Sequence, residues 1–147
     1  MYNNIFDNDD NLQKFSRLNA KDMLEKLDNN ILHFNNGTFK NLVENIFNKV
    51  LLPYFVGKGK DFDFANANCL FSLKDTNDFG MYTQELTILV KSLDINLVND
   101  AKKHYSIFSI TIFNDGKTNL DCQDVNFDNI DLLLSLTTWL QWFTNNC

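Results

Sequence analysis

Two stretches decide the fold: YTQELTILVK at residues 82–91 and YSIFSITIF at residues 105–113. In the first, Tyr82, Leu86, Ile88 and Val90 fall on one side, with Thr83, Glu85, Thr87 and Lys91 on the other. That alternation is the period of a strand with one face buried and one face wet. In the second, Phe108, Ile110 and Ile112 share a face, while Tyr105, Ile107 and Phe113 add apolar bulk opposite. A strand apolar on both faces belongs in the middle of a sheet rather than at its edge.

Outward from this pair, the preceding chain carries helical spacing. Leu12, Phe15 and Leu18, then Met23, Leu24, Leu27 and Ile31, recur with a phase slip near Asn19, where Asn19 and Asp22 match an N-cap and its acidic third residue. Asn35-Asn36-Gly37 is expected to end that segment. Thr38 is expected to cap the next helix, whose stripe of Phe39, Leu42, Val43, Ile46, Phe47, Val50 and Leu51 is unbroken. Pro53 is expected to stop it, because the residue before a proline avoids helical backbone angles. Residues 69–74 alternate as a strand and 61–65 more weakly. Residues 75–80 have the composition of a turn. Residues 93–100 fit either a continued strand or a short helical connection.

After residue 113, Asp115-Gly116 signals a hairpin into a short strand at 118–122. A final helix is expected from Asp128, with Leu132, Leu133, Leu136, Trp139, Leu140 and Phe143 as its core stripe. Ile130, Leu134 and Trp142 lie off that stripe, so this helix is apolar beyond one face. The first two strands are joined by turns too short for a parallel crossover. The expectation is one α+β domain over residues 1–147. It has two N-terminal helices, a three- to four-stranded mainly antiparallel sheet and a C-terminal helix packed on it, with residues 1–10 as a flexible acidic lead-in.

Charge narrows the partners. The net charge is −6 and Arg17 is the single arginine beside twelve lysines. Arginine supplies the planar forks that read phosphates and guanine edges, so nucleic acid is not expected as a partner. Cys69, Cys122 and Cys147 are odd in number and lack a CxxC, which fits free thiols in a reducing compartment. Neither a secretory leader nor an apolar run long enough for a bilayer is present, so the chain is expected in the cytoplasm and off the membrane.

The motifs of catalysis are weak. His33 and His104 lack metal-ligand spacing, and residues 75–86 fail the calcium-loop pattern because Leu86 stands where a bidentate Glu is required. Gly57-Lys58-Gly59-Lys60 lacks the spacing of a phosphate loop. No cofactor or metal is expected. The more informative feature is acidic: Asp115, Asp121, Asp124, Asp128 and Asp131 fall within seventeen residues, next to a helix bearing Trp139 and Trp142. Helix capping and a solvated loop are the preferred account of Asp128 and Asp131 taken alone, and Trp142 either anchors a partner or packs on the N-terminal helices. A desolvated aromatic ringed by charge is the make-up of a binding hot spot.

The leading expectation is therefore a non-catalytic acidic protein that docks on and neutralises a basic protein partner such as a toxin, as an immunity or antitoxin-type inhibitor does. Asp115, Asp121, Asp124, Asp128, Asp131 and Trp142 would form its docking face. Two alternatives stand beside it. One is a small metal- or ligand-dependent enzyme using His104, Asp61 and Asp63. The other is a homo-oligomeric subunit joined through the last helix.

Overall fold

The structure, a computed structural model, describes residues 17–29, 31, 36–78, 80–93, 105–123, 125 and 127–146. Five antiparallel strands form one sheet in which spatial order equals chain order: β1 (Leu18–Asn19), β2 (Cys69–Asp78), β3 (Met81–Lys91), β4 (Tyr105–Phe113) and β5 (Thr118–Gln123). Among the described residues the helices are α1 (Ala20–Asp28), α2 (Asn36–Ile46), α3 (Leu52–Gly57), α4 (Phe62–Asn68) and α5 (Ile130–Asn146). A π-helical turn, Phe47–Leu51, joins α2 to α3, and a short 3-10 turn, Phe127–Asn129, leads into α5. The class is α+β, as the alternation and helical stripes imply.

The register turns the alternation into a core. Phe71, Ile88 and Phe108 stand side by side across β2, β3 and β4, as do Leu73, Leu86 and Ile110. On this face the helices drop Met23 and Leu27 from α1, Phe39, Leu42 and Ile46 from α2, Phe55 from α3, and Leu132, Leu136 and Leu140 from α5 into one cluster. β4 lies between β3 and β5, which accounts for its apolar residues on both faces. On the other face Leu89 and Ile107 are buried with Leu70 and Tyr105 against them.

Several expectations are corrected. The sheet has five strands, because Leu18 pairs with Phe71 instead of extending a helical stripe. Asn19 explains this: its side chain accepts from the Asp22 N–H at 2.9 Å and its own backbone is extended, which frees residues 18–19 for pairing. The stripe at residues 12–16 lies outside the described residues. Asn36 and Gly37 open α2 rather than closing α1, which ends at Asp28 with Asn29 as its cap. Thr38 therefore sits inside the first turn of α2.

Pro53 does not stop the helical rod. The Leu52 N–H reaches back five residues to the Phe47 carbonyl, and this wider turn takes up the missing N–H and the ring clash that a proline brings to a regular ladder. Residues 62–68 are helical, not extended. Asp61 caps α4 by accepting from the Phe64 N–H at 2.8 Å, and that local bond outweighs the alternation of Phe62 and Phe64. Residues 75–78 are paired strand, with Asp75 opposite Gln84 and Asp78 opposite Met81, and Gly80 turns the chain at a φ of +77°. Residues 94–100 and the two histidines lie outside the described residues.

Candidate functional site

The site is built on α5, which local chemistry fixes at its start. The Asp128 carboxylate accepts from the Ser92 hydroxyl at 3.0 Å and the Leu93 N–H at 2.8 Å, tying the 3-10 turn to the end of β3. The Tyr54 hydroxyl of α3 donates to the Asp128 backbone carbonyl and, at 3.0 Å, to Asn129 Oδ1. The fully buried Asn129 in turn donates to Ser106 Oγ of β4 at 2.7 Å. Three elements thus meet at two residues, and a buried polar network of this kind rigidifies what it holds. The far end of α5 is tied to β5 where Thr118 and Thr144 share a hydrogen bond of 2.6 Å.

The same burial affects ionisation. Tyr54 is held above its ordinary value by burial and then by the Asp128 and Asp131 carboxylates, and burial alone pushes the Cys69 thiol up. Burial, followed by a hydrogen bond to Asp75, pushes Tyr82 up to about 12. An unfolded chain releases such protons near 9 for cysteine and 10 for tyrosine. Above those values the folded state binds more protons than the unfolded state, so stability is full below pH 9 and falls as pH rises. Urea unfolding is expected to show the folding constant dropping about tenfold or more between pH 9 and pH 11. Tyr54→Phe should make that slope shallower; an equal slope would assign the pH dependence elsewhere.

The described aspartates do not share one surface. Asp131 is exposed in the first turn of α5. Asp115 is exposed in the β4–β5 turn, where it accepts from the Lys117 N–H at 3.0 Å. Asp121 pairs with Ser109, out of phase with Phe108 and Ile110, and so faces away from the helices. Asp128 is half-buried and spends its carboxylate inside the fold. Asp124 lies outside the described residues. Asp61 and Asp63 start α4, and His104 is not described. Among the described residues no group of three or more His, Cys, Asp or Glu is placed to hold a metal ion.

The structure instead gathers apolar side chains. Ile130 (42% exposed), Leu134 (61%) and Trp142 (50%) stand at intervals of four and eight along α5. That spacing puts them on one side of the helix over roughly 18 Å, with Asp131 and Thr138 among them. Between this side and the π-helical turn runs a shallow groove of about 530 Å³, lined by Lys49, Val50, Leu134, Trp139 and Trp142. Lys49 Nζ lies 5.7 Å from the Trp142 ring, a cation–π contact. Ile130 and Leu134 were visible in the sequence as apolar positions off the core stripe. Lys49 had no such signal, because only the fold brings the π-helical turn beside α5. Among the described residues no helix is long and apolar enough to cross a membrane. No family model, no curated protein and no solved structure matches the chain, so its function is read from this geometry alone.

Proposed function

We propose that this is a non-catalytic, cytoplasmic acidic binding protein that docks a basic protein partner on the outer side of α5 and neutralises it, as an immunity or antitoxin-type inhibitor does. The observation that carries the reading is the row Ile130, Leu134 and Trp142, three large apolar side chains exposed on one side of a helix pinned at both ends. Aromatic and aliphatic anchors on a rigid element, surrounded by polar residues, are the composition of an interface centre. Asp131 lies among these anchors. Asp115 and Asp121 sit elsewhere, so they act through the field of a chain of net charge −6, which speeds encounter with a basic partner rather than contacting it.

The test is affinity capture from the producing organism with the wild-type chain and with a Leu134→Asp/Trp142→Ala variant, at low and high salt. The expected result is a basic protein retained by the wild type, released as salt rises, and bound roughly 30-fold or more weakly by the variant. Equal capture by both chains, or capture indifferent to salt, would remove the proposal. A wild-type chain that light scattering shows to be a dimer, and a monomeric Trp142→Ala, would assign the same surface to a second copy of the chain instead.

A further inference from the structure

Beyond docking, we propose that the cleft between the start of α2 and the end of the sheet binds a small, uncharged planar ring with an amide-type edge, of the nucleobase or nucleoside kind. The cleft has a volume of about 560 Å³, within the size range of small-molecule sites. It is lined by the first turn of α2, the β4–β5 hairpin and Phe143 of α5. Among the described residues no charged side chain lines it. Its polar groups are hydroxyls and carboxamides, and its apolar surface comes from Ile112, Phe113 and Phe143.

Two of those carboxamides stand on different walls, and one has its orientation set by a neighbour. On the α2 wall, Asn45 Nδ2 donates to Asn41 Oδ1 at 2.8 Å and to the Asn41 carbonyl at 2.7 Å. Asn41 therefore offers its nitrogen, a donor. On the β3 wall stands Gln84, only 8% exposed, whose carboxamide carries an acceptor as well as a donor. The Asn41 donor on one wall and the Gln84 amide on the other complement a rigid ring whose carbonyl and N–H stand at fixed positions. A sugar's hydroxyls rotate to suit and need no pre-set amide. The rings of Phe113 and Phe143 supply flat apolar surface for stacking. A phosphate finds no lysine, arginine or histidine among these lining residues, and it would enter the field of a chain of net charge −6. The ligand is thus a base or nucleoside rather than a nucleotide.

Phe143 stacks on Trp139 with ring centres 5.1 Å apart, so occupancy of the cleft should be visible in tryptophan fluorescence. The experiment titrates the full chain with adenosine, guanosine, cytidine and uridine, with their 5′-monophosphates and with glucose, reading fluorescence and melting temperature. The expected result is a saturable change with at least one nucleoside, half-complete below about 1 mM, and a raised melting temperature. Its monophosphate should bind at least tenfold more weakly, and Gln84→Leu about tenfold more weakly, through loss of the amide. If Gln84→Leu does not fold, Asn41→Leu on the exposed surface of α2 takes its place. No saturable change with any nucleoside, a response to glucose alone, or unchanged affinity in the variants would overturn the proposal. Partner capture is measured separately, so failure here leaves the α5 reading standing or falling by its own test.

Discussion

Phe71→Ala is expected to lower the free energy of unfolding by about 3–5 kcal/mol. Phe71 is fully buried in β2, between Leu18 of β1 and Ile88 of β3, in the cluster to which α1, α2, α3 and α5 all contribute. Truncation removes the ring's transfer free energy and leaves a cavity that both the sheet below and the helices above are poorly placed to fill, since each is held by other contacts. Against a total of about 5–15 kcal/mol for a domain, that is about a fifth of the stability or more. Urea unfolding checks it: the midpoint should fall with the slope unchanged. A loss under about 1 kcal/mol would mean that the helices slide to close the gap, and that the layers are not packed as described.

The second large effect is expected from Asn129→Ala, at about 1–3 kcal/mol. Asn129 has no exposed surface, and its amide is used at both ends: the oxygen accepts from Tyr54 and the nitrogen donates to Ser106. Alanine removes one hydrogen-bond partner from the buried Ser106 hydroxyl and one from the part-buried Tyr54 hydroxyl, and leaves a gap where the amide stood. The loss should also be non-additive with Tyr54→Phe, because the two residues share a bond. A double-mutant cycle with coupling below about 0.5 kcal/mol would show that they do not act together. Asn129 also sets the start of α5, so Asn129→Ala should weaken docking at Leu134 without touching the partner.

Much of the fold was legible because burial leaves a periodic trace. Phe108, Ile110 and Ile112 alternate for the same reason that Leu86 and Ile88 do, and Leu132, Leu136 and Leu140 repeat at the helical interval because one side of α5 meets the sheet. The misreadings arose where two local rules competed. Residues 75–78 have turn composition, yet pairing with residues 81–84 outweighs it. Phe62 and Phe64 alternate, yet the Asp61 cap decides for a helix. Pro53 breaks a regular helix, but the preceding π-helical turn removes the conflict, and nothing in the residue order announces such a turn. The site was half legible. Trp142 and Leu134 stood out as apolar positions off the stripe, whereas nearness in sequence suggested that five aspartates act together and the alternation of β5 places Asp121 on the far face. The cleft was invisible, because Asn41, Gln84 and Phe143 come from three separate elements.

The side-by-side order of the strands governs how the chain assembles in time. From β2 to β5 each strand lies beside its sequence neighbour, and the hairpins at Gly80 and Gly116 let β2 zip to β3 and β4 to β5 with little loop to close. β1 also pairs with its neighbour β2, but across a long connection: its two residues wait for Leu70 and Phe71, which arrive only after α1 to α4. The outermost strand is thus the last to be caught and the first to be released, and fraying begins there, far along the chain from α5.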